Sequence, residues 1–347
     1  MLGLLPVLLA TADAAEVTTK DSGHVQNPVW APDGSWVAFE INNMSNTVEL
    51  WLTKVNGSSP GTPSELRVPG AASSFGSGGY MAGSSTWASA PNLMVIFEGS
   101  NAGGTMRLYY ATPGAGAPNE LITASQIGGN LGAPDMNSSG SMFAFISDKT
   151  GAGDVYVWDI NGGSIEASQV TPGTENAPDW NAGGDTLAYS RKNSGNQDLF
   201  TWQSGGLAQP LKGGNGDQTR PVWVGDKVAY FTSERGDGVW DVAVANPSDK
   251  SRSIVARDVR LPTRSAPAIT PDGQWVAYGS ADPDKSDRIF VSRLDGSSTV
   301  EIKTGHEAAG EPALVEAGGR LLLAYTALPA EGSDWRRLHI IDITGQL

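Results

Sequence analysis

An internal repeat constrains this chain more than any other feature. Ala-Pro pairs place prolines at Pro134, Pro178 and Pro267, with Arg220-Pro221 and Glu311-Pro312 in the same phase, at spacings of 44, 43, 46 and 45 residues. Pro28 lies 106 residues before Pro134, which requires one hidden start between them, and Ser85-Thr86-Trp87 fills it. The chain therefore carries seven repeats. A period of this length belongs to helix-pair solenoids or to propeller blades. No apolar stripe of helical period runs far enough to build the solenoid.

Each repeat follows one grammar. It opens on a short strand such as Pro28-Val29-Trp30 or Pro178-Asp179-Trp180 and turns at a segment such as Pro32-Asp33-Gly34 or Pro271-Asp272-Gly273. Proline presets φ and glycine supplies positive φ, as a tight turn between antiparallel strands requires. An apolar strand follows, ending in a small residue and then an aromatic: Ala38-Phe39, Ala144-Phe145, Ala188-Tyr189, Ala229-Tyr230, Ala277-Tyr278 and Ala324-Tyr325, with Ile96-Phe97 as the variant in repeat two. Such alternation suits sheets packed face to face, a methyl on one making room for a ring from its neighbour. Third and fourth strands complete the unit, as at Val155 to Trp158 and Gln169 to Thr171.

Four antiparallel strands per repeat predict an all-β fold, a seven-bladed β-propeller. The seventh repeat stops after its third strand, whereas Glu16-Val17-Thr18, ahead of the first repeat, reads as a fourth strand. An N-terminal strand is thus expected to complete the last blade and leave it without an unpaired edge.

Composition narrows the function classes. The 44 Gly and 21 Pro leave little room for long helices, while 39% hydrophobic content with 11 Trp is enough for a packed core. A net charge of −14, with no basic run interleaved with aromatics, argues against nucleic-acid binding. With no Cys there is no disulfide, thiolate nucleophile or Cys-ligated metal. Leu2 to Ala10 is an apolar run too short to span a bilayer, and Ala12-Asp13-Ala14 after it is a small-x-small cleavage pattern. The reading is a signal peptide over residues 1–15 and a propeller domain over 16–347, in a periplasmic or secreted monomer with no membrane span.

The residues Pro28-Val29-Trp30-Ala31-Pro32-Asp33-Gly34-Ser35-Trp36-Val37-Ala38-Phe39, repeated in kind at 177–189 and 266–278, resemble the repeat of TolB-like propellers. Ser147-Asp148-Lys149-Thr150-Gly151 and Ser233-Glu234-Arg235-Gly236 look like that family's second signature. The resemblance covers residues 16–347 and implies the fold more specifically than the function, since the repeat occurs in envelope scaffolds, in propellers attached to peptidases and in polysaccharide lyases. The family's N-terminal α/β domain has no counterpart among the seven repeats.

In a propeller the loops entering each first strand crowd around the central channel on one face. They supply His24, Gln26, Asn130, Glu175, Gln218, Arg220, Arg264, His306, Glu307 and Glu311 as candidates for contact with a protein or peptide partner, possessing polar and charged groups but no catalytic constellation. His24 and His306 become neighbours if blades seven and one close, and with Glu307 or Glu311 they form a weak candidate for a divalent cation. Asp282 and Asp284, with Asp287 close behind, form another for Ca²⁺, opposed by Lys285 and by the lack of a glycine at the turn. Solvated loop side chains are the plainer reading of both. Asp135 and Asp179 hold one register in adjacent repeats and suit either acid-base chemistry on a carbohydrate or hydrogen bonding to backbone amides. Two functions are therefore carried forward: a non-catalytic scaffold for a protein or peptide, and a carbohydrate-active enzyme or lectin that uses channel carboxylates.

Overall fold

The computed structural model describes residues 14–17, 19, 23–44, 47–70, 80–89, 91–100, 104–193, 195–236, 238–270, 272–285, 287–306, 308–329 and 334–347. The expected signal segment lies almost wholly outside these residues, as do Glu307 and residues 71–79. No helix among the described residues is long and apolar enough to cross a membrane.

Seven blades follow one another in chain order. Blade four is representative: Thr174–Trp180, Thr186–Lys192, Gln197–Gln203 and Gln209–Lys212 pair antiparallel in sequence order. Blade seven supplies Gly310–Ala317, Arg320–Ala327 and Arg337–Asp342, and its fourth strand is Ala15–Val17. Ala15 lies opposite Ile340, Glu16 opposite His339 and Val17 opposite Leu338, so the expected closure forms, one residue earlier than the sequence suggests. Blades one and two depart from the pattern. Thr47 and Val48 of blade one pair in parallel with Tyr80 and Met81 of blade two, fusing the two sheets into one.

The core is divided among the blade interfaces. Each cluster of buried residues draws on two consecutive blades, and the small-aromatic pairs explain the spacing. Ala144 packs in the cluster that holds Tyr189 of the next blade, Ala188 with Tyr230, Ala229 with Tyr278, Ala277 with Tyr325, Ala324 with Phe39, and Ala38 with Phe97. Ile96 meets Phe145 at the interface of blades two and three. A single methyl or branched chain thus faces a ring at every junction, which keeps radial sheets at a constant separation around the ring. Gly34 shows how close the turns come: a Cβ there would stand 2.4 Å from that of Ala317 in the preceding blade.

The innermost strands share a feature that the sequence does not display. In six blades the first strand bulges, and the bulge residue is left-handed without being glycine: Asn27 (φ 49°), Ser84 (45°), Ala133 (45°), Ala177 (50°), Arg220 (53°) and Glu311 (46°). Such conformations cost energy for an L-residue and need surrounding contacts to persist. The bulge frees main-chain groups from the ladder and turns them towards the channel. Blade six is the exception, since its first strand shrinks to Ala268–Ile269 and the segment before it leaves the sheet.

Val17 is fully buried beside Leu338, Ile340 and Phe39 in the cluster that joins blades seven and one. Val17→Asp would set an unpaired charge in that junction and is expected to lower unfolding free energy by about 3 kcal/mol or more. A urea titration followed by tryptophan fluorescence measures it.

Candidate functional site

The first strands enclose a central channel of about 920 Å³. Residues 261–265 of the blade-six entry loop stretch across its mouth as a strap held by side chains from four other regions of the ring. From blade five, the Arg220 guanidinium donates to the carbonyls of Pro262 (2.6 Å), Thr263 (3.1 Å) and Ser265 (3.2 Å). From blade seven, Glu311 accepts the Thr263 N–H (3.0 Å) and hydroxyl. From blade one, Asn27 Oδ1 accepts the Arg264 N–H (2.9 Å). From blade two, Glu98 pairs with the Arg264 guanidinium, which also donates to Ser84 Oγ (2.6 Å).

The carboxylates at the mouth also serve the bulges. Glu311 accepts the Asn27 N–H (2.6 Å), Glu40 the Ser84 N–H (2.9 Å) and Glu98 the Ala133 N–H (3.3 Å), so each acid caps the bulge of the following blade. Glu40 is also bonded by Gln26 Nε2 (2.8 Å) and Asn27 Nδ2 (2.9 Å). Burial raises the Glu40 pKa, while the field of Arg264 and these hydrogen bonds pull it back.

Deeper in the channel, Asp135 and Asp179 stand half-buried on the wall. Asp135 accepts the Trp180 N–H (2.9 Å) and the Thr86 hydroxyl (3.2 Å), and Asp179 accepts the Trp223 N–H (2.7 Å). Each carboxylate thus bonds a main-chain amide of the next inner strand. Desolvation pushes Asp135 up to about 7, and desolvation together with the charge of Asp135 pushes Asp179 well above its ordinary range.

The other predicted residues are scattered. Glu175 is buried 1% exposed, ion-paired to Arg191 at 2.6 Å and bonded by the Val155 N–H. Gln218 is fully buried, donating to the Asn215 and Gly216 carbonyls. Neither side chain can reach a partner, because each satisfies the wall beneath the rim instead. Asn130 holds Asp148 and the Met106 N–H. Asp282 accepts the Asp284 N–H (3.0 Å) and lies 3.4 Å from Lys285 Nζ, a turn closed on itself.

The two histidines expected in entry loops go to different neighbourhoods, and His24 opens the first strand of blade one rather than lying in a loop. His24 accepts the Arg336 N–H and meets the Trp335 ring edge-on at 4.9 Å. His306 bonds the Tyr325 hydroxyl and lies ring to ring, 4.0 Å between centroids, with His339. Among the described residues no group of three or more His, Asp or Glu is placed to hold a metal ion. Sequence reasoning missed Glu40, Glu98 and Ser84. Their only signal is position, Glu40 and Glu98 following the small-aromatic pair of blades one and two.

Neither a family model nor a curated protein matches the sequence. Solved structures do match. TolB from Acinetobacter baumannii superposes with a TM-score of 0.53 at 14% identity, over 94% of this chain and 65% of that one. The chain has a TolB-like β-propeller fold. Oligogalacturonate lyase from Vibrio parahaemolyticus is also similar (TM-score 0.65, 12% identity, 94% of this chain and 93% of that), as is puromycin hydrolase (0.61, 13%, 92% and 54%). At these identities the likeness is one of fold.

His339 gives the fold an acid sensitivity. Burial, followed by the charges of His306 and Arg337, lowers its pKa from 6.5 to about 3. Between those values the unfolded chain binds a proton that the folded chain refuses, so this residue's contribution to stability is intact above pH 6.5 and falls as pH drops. His339→Phe should flatten the decline between pH 6.5 and 5 relative to the parent. Thermal melts across that range decide it.

Proposed function

We propose that this chain is an exported, non-catalytic propeller that holds a protein or peptide partner on its entry face. The observation that carries the reading is the commitment of Arg220, Glu311 and Asn27 to a stretch of main chain lying across the channel mouth, and of Glu98 to the arginine that this stretch carries. Side chains so bound present a stiff polar surface, and the rigid ring behind it keeps the ordering cost of binding low. Export rests on the apolar run and cleavage pattern at the N-terminus. The resemblance of the repeat to TolB-like propellers, which include envelope scaffolds, supports a scaffold role.

A second reading is favoured by one specific observation, the pair Asp135 and Asp179 with raised pKa values in a roomy channel. It makes the protein carbohydrate-active, with Asp135 half-protonated near neutrality as an acid-base group, and the likeness to oligogalacturonate lyases, one of them in complex with manganese, points the same way. The first reading is preferred because both carboxylates already hold backbone amides of the inner strands.

Site-specific photo-cross-linking separates the two. Met44, 69% exposed in a loop of the entry face, and Leu207, 74% exposed at a turn of the opposite face, are suitable probe positions. The scaffold reading predicts one saturable adduct in envelope extract from position 44 and none from 207. Release of unsaturated products from polygalacturonate, lost on Asp135→Asn, would establish the enzyme instead.

A further inference from the structure

Resting on the partner-binding reading above, we propose that residues 261–266 occupy the peptide site of the entry face in cis, and that the site takes an extended segment carrying a central arginine, which displaces the strap. The main chain of the strap is recognised as a bound peptide would be. Two of its N–H groups and three of its carbonyls are satisfied by side chains of other blades rather than by a strand partner. These contacts read backbone alone, so a different sequence could make them.

Side-chain selectivity comes from the pocket around Arg264. Its guanidinium meets Glu98 and Ser84 Oγ and lies in the field of Glu40, which is only 1% exposed. Withdrawing the strap would leave two acids with no compensating cation at a largely buried site, a costly state. An incoming group must therefore be cationic, and the planar fork of an arginine matches Glu98 and Ser84 together, where a lysine would offer a single point charge. Blade six is also the one blade whose inner strand lacks the left-handed bulge and is cut to two residues, so its entry segment is free of the sheet that pins the other six.

The test uses a fluorescently labelled synthetic copy of residues 261–267, a second copy with alanine at the arginine, and fluorescence anisotropy. The parent should bind the copy weakly because its own strap competes, and the Arg264→Gly chain at least about tenfold more tightly. The alanine copy should lose at least about tenfold on the Arg264→Gly chain, and Glu98→Gln in the same background should lose as much. An Arg264→Gly chain with parental circular dichroism that binds both copies equally, or neither, overturns the proposal. Should that variant fail to fold, hydrogen exchange on the parent decides: excess copy should speed exchange of the Thr263 and Arg264 amides while the alanine copy does not, and unchanged exchange overturns it. A partner cross-linked at position 44 of a chain that binds neither copy would leave the scaffold reading standing and remove only the strap's role.

Discussion

The antiparallel pairing of Ala15–Val17 with Arg337–Asp342 is the contact on which the rest of the molecule depends. Radial sheets pack only on their neighbours, so an open arc would expose the faces at both of its ends. Joining the two ends of the chain within blade seven places Val17 among residues of blades seven and one and makes the last interface equivalent to the others. Any side chain at the channel mouth derives its position from that closure, because the mouth groups come from blades one, two, five, six and seven.

A second constraint acts at the inner edge. The left-handed bulges leave main-chain N–H groups pointing away from their own ladder, and carboxylates of the preceding blade collect three of them. Unpaired, these donors would each cost about 1–3 kcal/mol. Two of these acids, Glu311 and Glu98, also hold the strap, so the charge that satisfies the architecture also defines the surface offered to a partner. Glu40 and Glu98 occupy the position that holds Ile146, Ser190, Phe231, Gly279 and Thr326 in the other blades, which confines the acidic pocket to one sector of the ring.

Much of the fold was legible in the sequence because each blade interface repeats one environment. The small-aromatic pair recurs for a packing reason, and the missing last strand had a counterpart at the other end of the chain. The parallel pairing of Thr47 and Val48 with blade two had no such signal. The candidate site was legible only in part. Arg220, Arg264 and Glu311 were singled out as entry-loop residues, but Arg220 and Glu311 lie in the bulged first strands, and their roles depend on a left-handed backbone that Arg and Glu seldom adopt and on a loop crossing to blades remote in sequence. Glu175 and Gln218, expected in entry loops, lie instead in the first strands of their blades and turn inward, since a buried main-chain group beneath each must be satisfied. Position along the repeat specifies the end of the blade, whereas hydrogen-bond demand decides which way a side chain points.

The central claim is that a strap across the mouth of the channel is held by side chains from distant blades, and a double-mutant cycle on Arg264→Ala and Glu98→Ala tests it most directly. The two residues lie 166 positions apart in the chain and meet only across the mouth. Urea unfolding of the parent, both single variants and the double variant should give a coupling energy of at least about 1 kcal/mol. Effects that simply add would mean that the strap does not bridge these blades in solution, and would contradict the account.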